Sequence, residues 1–197
     1  ITLMSISNTI LVFSLIVLSV LSVLEFINLT NKIIKNKFYS LISNLFFVVY
    51  IFIFCLFFFY FSNFVHLKVI LFSLLLCCVA SDIGGFVFGK TFKGPKITKI
   101  SPNKTYAGSL GSIIFSMVVF SGLMISFTNN FNYMILIIAI ITSTACQFGD
   151  LFFSFLKRKA KIKDTGNFLP GHGGILDRLD GIFLGIPIGF ISLTIFY

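Results

Sequence analysis

Residues 39–62 read YSLISNLFFVVYIFIFCLFFFYFS, an unbroken apolar run without a single charged side chain. A hydrocarbon core about 30 Å thick needs ~20 mostly apolar residues in one helix, and this run supplies them without help from its flanks. It does not alternate polar and apolar residues with a period of two, so it is not a strand of a closed membrane barrel. Working outward, five further runs of the same kind lie at 4–27, 69–89, 106–128, 134–156 and 181–197. The expected fold is therefore all-α: a polytopic membrane protein with about six transmembrane helices, forming a single integral membrane domain over residues 1–197. The last run is short and interrupted by Pro187, but Gly181, Gly185 and Gly189 recur at four-residue spacing, which lets a neighbouring helix pack closely. The first run is too long for a signal peptide and lacks a basic n-region and a small-residue cleavage pattern. The chain begins at Ile1 rather than Met, and nothing is inferred about what precedes it.

Composition agrees. Of 197 residues, 57% are hydrophobic and only 11% charged, with 28 Phe and no Trp, and the mean hydropathy is +1.06. Soluble domains carry about 25% charged residues, so an ordinary soluble domain is excluded. The excess of Phe, Ile, Asn and Lys also fits an AT-rich coding sequence, which lowers the information in any single Phe. The 15 Lys and Arg against 6 Asp and Glu give a net charge of +9. Two stretches hold most of these charges. One contains Lys90, Lys93, Lys96, Lys99 and Lys104; the other contains Lys157, Arg158, Lys159, Lys161, Lys163 and Arg178. Asp82, Asp150, Asp164, Asp177 and Asp180 sit in or beside the same stretches, and Glu25 alone lies apart.

The connecting segments alternate in charge. Those after the first, third and fifth runs carry Lys32, Lys35 and Lys37, then the cluster over 90–104, then the cluster over 157–178. Those after the second and fourth carry only Lys68 between them. By the positive-inside rule the basic segments are cytoplasmic and both termini face outward. Cys55, Cys77, Cys78 and Cys146 all fall inside apolar runs with no CxxC pairing, so they read as buried, reduced thiols and not as a zinc site or disulfide framework. His66 reads as an interfacial residue. No internal repeat and no linker long enough to divide the chain is present.

Gly84 to Thr91 fits the spacing of a phosphate loop, a Gly, four residues, then Gly-Lys-Thr. That loop works by wrapping free backbone amides around phosphate between a strand and a helix. Here the preceding run is a membrane span and no soluble α/β pattern follows, so the match is read as accidental. Asp82 is more informative, because an aspartate in a membrane helix costs ~2.5–3.5 kcal/mol at the centre and faces a cavity, a partner or a metal. The basic residues after it would bind anionic lipid at about 1 kcal/mol each. Lipid adhesion needs only charge, however, and not the Ser101-Pro102-Asn103-Lys104-Thr105 arrangement, which offers hydroxyl, amide and ammonium groups to phosphate at a helix start.

In the second stretch Asp150, Ser154 and Lys157 are spaced by four and three and so share a helix face. Asp177 and Asp180 share another where the last helix begins. Hard oxygen ligands beside many cations are what a Mg²⁺-nucleotide site requires. Pro170, Gly171, Gly173 and Gly174 form a segment with little bulk that could approach a nucleotide. Spacing alone leaves a plainer reading open, in which Asp177 and Asp180 merely pair with Arg178 and Lys163 at the membrane surface.

The run from Ser154 to Asp180 resembles the signature of the phosphatidate cytidylyltransferase (CDP-diacylglycerol synthase) family, through Ser154, Lys157, Arg158, Lys163, Asp164, Gly166, Leu169, Pro170, His172, Gly173, Gly174, Asp177, Arg178 and Asp180. Asp82, Ser101, Pro102, Lys104, Thr105 and Gly108 resemble the family too, so the likeness covers roughly 80–197, the expected catalytic region. The resemblance implies an inner-membrane, multi-pass enzyme of phospholipid biosynthesis, facing the cytoplasm. It would convert CTP and phosphatidic acid to CDP-diacylglycerol and pyrophosphate with Mg²⁺, often as a homodimer, with membrane lipids but no nucleic acid as partners. Asp150 and Asp177 are then expected at the metal, and Lys157, Arg158 and Asp177 as catalytic residues. Ser101, Lys104, Thr105, Ser154, Lys163, His172 and Arg178 are expected to bind substrate, while Asp82 and Asp180 support the site. Two departures stand out: Ala107 occupies a position where many members have an acid, and there are fewer N-terminal spans than in typical members. The rival readings are a channel or transporter, which would need polar groups through several spans rather than at one face, and a nucleotidyltransferase or kinase acting on another lipid.

Overall fold

Backbone N–H and C=O groups in hydrocarbon have no water to bond, so an apolar run must satisfy them within itself, as a helix does. The structure, a computed structural model, describes residues 8–98, 101, 104–129, 131–166 and 173–196. Six helices follow in order: α1 Asn8–Ile33, α2 Lys37–Ser62, α3 Val65–Phe92, α4 Tyr106–Thr128, α5 Met134–Lys159 and α6 Leu176–Phe196. All six are long and apolar enough to cross a membrane, and no strand occurs among the described residues beyond an isolated bridge between Lys96 and Thr105. The chain is a multi-pass membrane protein. Several helices outrun the apolar windows: α3 takes in Lys90, α5 takes in Lys157, Arg158 and Lys159, and α6 starts early enough to include Asp177, Arg178 and Asp180. Helical hydrogen bonding does not stop where hydrocarbon stops, so these charged groups stand on helix ends rather than in loops. The Gly84–Thr91 segment lies wholly inside α3, where its amides serve the helix and not a phosphate.

Contacts divide the chain into two compact units, Ile1–Lys68 with Leu156–Leu179, and Val69–Phe155 with Asp180–Tyr197. In the first, the hairpin unit, α1 packs against α2. The Asn36 side chain caps α2 by accepting from the Phe38 N–H at 3.0 Å. Thr30 donates to Asn44 Oδ1 at 2.6 Å and Ser40 to Asn31 Oδ1 at 3.0 Å, while Phe26 stacks on Phe47 with centroids 3.9 Å apart. The outward faces are apolar, Phe46 being 76% exposed, as suits a surface solvated by lipid tails.

The second, the bundle unit, carries small polar residues among the apolar ones of its interior. Ser73, Ser81, Ser112, Ser116, Thr142 and Ser143 are buried; Ser81 and Ser143 share a hydrogen bond of 2.9 Å between α3 and α5, and Ser116 donates to the Cys77 carbonyl at 3.1 Å. Lipid provides no hydrophobic drive between helices, so close backbone approach and such bonds hold them together. The expected role of Gly181, Gly185 and Gly189 is realised: added Cβ atoms there would meet Cys146, then Cys78 and Cys146, then Thr142 and Leu74. Cys77, Cys78 and Cys146 are buried free thiols.

The α3–α4 crossing is equally tight, since a Cβ on Gly111 would overlap the Phe88 side chain and come within 2.7 Å of the Gly84 carbonyl oxygen. Gly111→Val is expected to destabilise the protein by about 1–3 kcal/mol through overpacking. Gly122→Ala, on the same helix with nothing within 4 Å of the added Cβ, is expected to be neutral or to stabilise by up to about 1 kcal/mol. Thermal unfolding in detergent, followed by circular dichroism, compares the two.

Candidate active site

In the bundle unit, α4 opens at Thr105, whose hydroxyl oxygen accepts from the Gly108 N–H at 3.1 Å and caps the helix. Lys93 and Gly94 both have positive φ, at 50° and 106°, and turn the chain after α3. The Ile97 N–H then donates to the Lys104 carbonyl at 2.9 Å and the Tyr106 N–H to the Pro95 carbonyl at 3.1 Å, which sets Lys104 at the mouth of α4. From there its ammonium forms an ion pair with Asp150 of α5, the side chains being 22% and 33% exposed. Ser154, one turn on, donates to the other Asp150 oxygen at 3.2 Å, so Asp150 and Ser154 do share a face. Asp82 accepts a long contact from the Cys146 thiol at 3.8 Å, and Asp180 is buried, its carboxylate accepting from the Gly181 N–H at 2.8 Å. Ser101 is half-buried and its carbonyl accepts from the Lys104 N–H at 3.1 Å.

In the hairpin unit, α5 ends in a reversal. The Ile162 N–H reaches back to the Lys157 carbonyl and the Lys161 N–H to the Arg158 carbonyl, both at 3.0 Å, with Lys161 at φ 57°. This is the Schellman pattern with lysine in the left-handed position that glycine usually fills. The reversal brings Thr165 back to Asp177. Asp177 accepts from Lys157 Nζ at 2.7 Å on one oxygen, and from the Thr165 and Gly174 N–H groups at 2.8 and 3.0 Å on the other. The bond to Gly174 spans three residues and satisfies an amide just ahead of α6. Lys157 and Asp177 are only 12% and 10% exposed, so their charges are held by each other and by these amides.

The partner of Asp177 is thus Lys157, and not the Arg178 or Lys163 that spacing offered for a surface salt bridge. Arg158, Lys163 and Arg178 are exposed, Arg158 with a weak donation to the Ile162 carbonyl at 3.4 Å. His172 lies outside the described residues, as do Leu169, Pro170 and Gly171. Asp150 and Asp177, expected to share a metal, fall in different units.

Glu25 is the residue that sequence reasoning missed. It is only 8% exposed within α1. One carboxylate oxygen accepts from the Ile175 N–H at 3.0 Å; the other accepts from the Leu176 N–H at 2.9 Å and the Thr165 hydroxyl at 2.6 Å. The amides leading into α6, those of Gly174, Ile175 and Leu176, are therefore satisfied by two carboxylates, Asp177 on the first and Glu25 on the other two, where the helix dipole favours negative charge. These amides are accordingly taken by the protein itself. Gly166 and Gly174 face Glu25 too: Cβ atoms there would collide with its carboxylate. The signal was present in the sequence, because a lone acid in an apolar run is costly and requires partners.

Residues 1–196 match the sequence model of the cytidylyltransferase family. Among curated relatives, the phosphatidate cytidylyltransferase of Helicobacter pylori is 41% identical over 123 residues, 62% of this chain and 46% of the relative. That of Rickettsia bellii is 43% identical over 131 residues, 61% and 56% of the two chains, and that of Mycobacterium leprae 35% over 125 residues, 63% and 40%. The chain spans about half the length of the curated relatives it matches.

Proposed function

We propose that this chain, which belongs to the cytidylyltransferase family, transfers CMP from CTP to phosphatidic acid, giving CDP-diacylglycerol and pyrophosphate. The observation that carries the reading is the pairing of each expected site carboxylate with a lysine, Lys104 with Asp150 and Lys157 with Asp177. A reaction between two polyanions must offset their repulsion and hold them in line. Lysines already positioned on carboxylates can exchange that partner for a phosphate without first being ordered.

In the reaction a phosphatidate phosphate oxygen attacks the α-phosphorus of CTP, and the bond from that phosphorus to the β-phosphate's bridging oxygen breaks. The nucleophile is already an anion, so no covalent enzyme intermediate is required. Lys104 and Lys157 bind phosphate oxygens, with Arg158, Lys163 and Arg178 adding positive charge. Ser154 holds the Asp150 carboxylate, and Thr165 and Gly174 hold that of Asp177.

The donor chemistry fits Mg²⁺. Among the described residues there is no cluster of three or more His, Cys, Asp or Glu that could hold a metal, and a nucleotide-bound Mg²⁺ needs only one or two carboxylates beside phosphate and water. Asp150 and Asp177 are the carboxylates that the family resemblance assigns to the ion, each within its own unit, and when bound it would supply charge neutralisation to the phosphates. The charge of the basic segments, by the positive-inside rule, supports a site on the cytoplasmic side of the inner membrane, where CTP is found; a homodimer is the assembly the family resemblance suggests.

Membranes containing the chain, supplied with CTP or ATP and with phosphatidate or a polyprenyl phosphate, test the assignment. CDP-diacylglycerol is expected from CTP and phosphatidate alone. A product from ATP, or from the polyprenyl phosphate in preference, would instead support a related enzyme acting on another lipid.

A further inference from the structure

We propose that Glu25 is a positioning residue for Asp177, acting from α1 through the backbone that Asp177 itself grips; this rests on the role of Asp177 in the reaction proposed above. Two carboxylates hold the same two segments. Asp177 takes the Thr165 and Gly174 amides; Glu25 takes the Thr165 hydroxyl and the Ile175 and Leu176 amides. Each segment is thereby fixed at two adjacent points, and the Asp177 oxygen facing Lys157 has its direction set by the other oxygen's bonds.

The glycines complete the clamp. A Cβ on Gly166 would lie 2.6 Å from Glu25 Oε1, and one on Gly174 would overlap both Glu25 and the Thr165 hydroxyl. Glu25 is buried, and its hydrogen bonds run to Thr165, Ile175 and Leu176 rather than to the Lys157–Asp177 pair itself. It therefore acts through Asp177 and not on the reacting atoms. A glutamine cannot replace it, because its NH₂ group would face a donor whichever way the amide is turned.

The test uses the full chain in lipid nanodiscs. In Glu25→Gln, amide hydrogen exchange at residues 174–176 is expected to speed up by about tenfold or more, through lost bonds to a charged acceptor, while exchange in α3 and α4 stays at the parent rate. The kcat for CDP-diacylglycerol formation is expected to fall about 10–100-fold, the usual effect of removing a group that orients a site ligand, with KM for CTP unchanged. Thr165→Val, which keeps the Thr165 amide and removes only the hydroxyl, should show the same pattern more weakly, and Thr165→Ser should behave like the parent. Unchanged exchange at 174–176, acceleration spread evenly over the chain, or local acceleration with unchanged kcat would each overturn the proposal. Should Glu25→Gln not insert, the Thr165 pair decides by the same criteria. The exchange measurement does not depend on turnover, so an inactive parent chain would count against the functional reading and leave the clamp to be judged by exchange.

Discussion

Asp177→Asn is expected to lower CDP-diacylglycerol formation at least about 10²-fold while the protein still inserts into the membrane. The substitution preserves shape but removes the negative charge facing Lys157, and both side chains of that pair are nearly buried. Losing one partner of such a pair costs about 3–5 kcal/mol, because the other charge remains uncompensated. Rotation of the new amide gives no escape. Its NH₂ group must point either at the Lys157 ammonium or at the Thr165 and Gly174 amides, and all of these are donors. Groups that merely orient a metal ligand cost 10–100-fold when removed, so Asp177, proposed above as a metal ligand, should reach at least the upper end of that range. Activity per amount of inserted protein, measured in membranes, checks this. Full activity would remove Asp177 from the reaction.

The second large effect is expected from a single methyl group. A Cβ on Gly149 would lie 2.5 Å from the Asp180 carbonyl oxygen and 3.2 Å from Gly181 Cα. Both are backbone atoms of α6, which no side-chain rotation can clear. Gly149→Ala must therefore push α5 from α6, and Asp150 follows Gly149 directly on α5. We expect destabilisation of about 1–3 kcal/mol, which for a chain of this size lowers the melting temperature by about 2–4 °C per kcal/mol. Activity should fall at least about tenfold below the melting transition, as the Lys104–Asp150 ion pair is displaced. Comparison with Gly122→Ala in the same assays separates the crowded contact from a general effect of adding a methyl group.

The helices were legible because hydrocarbon thickness imposes a length on every span, and runs such as 39–62 meet it without ambiguity. The glycines of α6 were legible for a related reason, since small residues at four-residue spacing have one main use in lipid. The expected shared face of Asp150 and Ser154 is met by the bond between them, while Lys157, expected on the same face, bonds Asp177 instead. What spacing could not supply was the partner of Asp177. Lys157 lies twenty residues before it, beyond a chain reversal at Lys161 that glycine usually marks and lysine here carries. Glu25 lies far in sequence from the charged stretches, although its cost within an apolar run implies a partner somewhere. Its partners are chiefly backbone amides, which leave no trace in residue identity. The small size of Gly174 suggests close approach by a nucleotide; the space beside it is occupied by Glu25 and Thr165.

The central claim, that the chain transfers a cytidylyl group to a lipid phosphate, is tested most directly by the position of the label in CTP. Membranes containing the full chain, given phosphatidate and CTP labelled with ³²P at the α-phosphate, should yield a labelled lipid, and CTP labelled at the γ-phosphate should yield labelled pyrophosphate and an unlabelled lipid. Transfer of the γ-label to lipid would show a kinase, and absence of α-label from the lipid would contradict cytidylyl transfer.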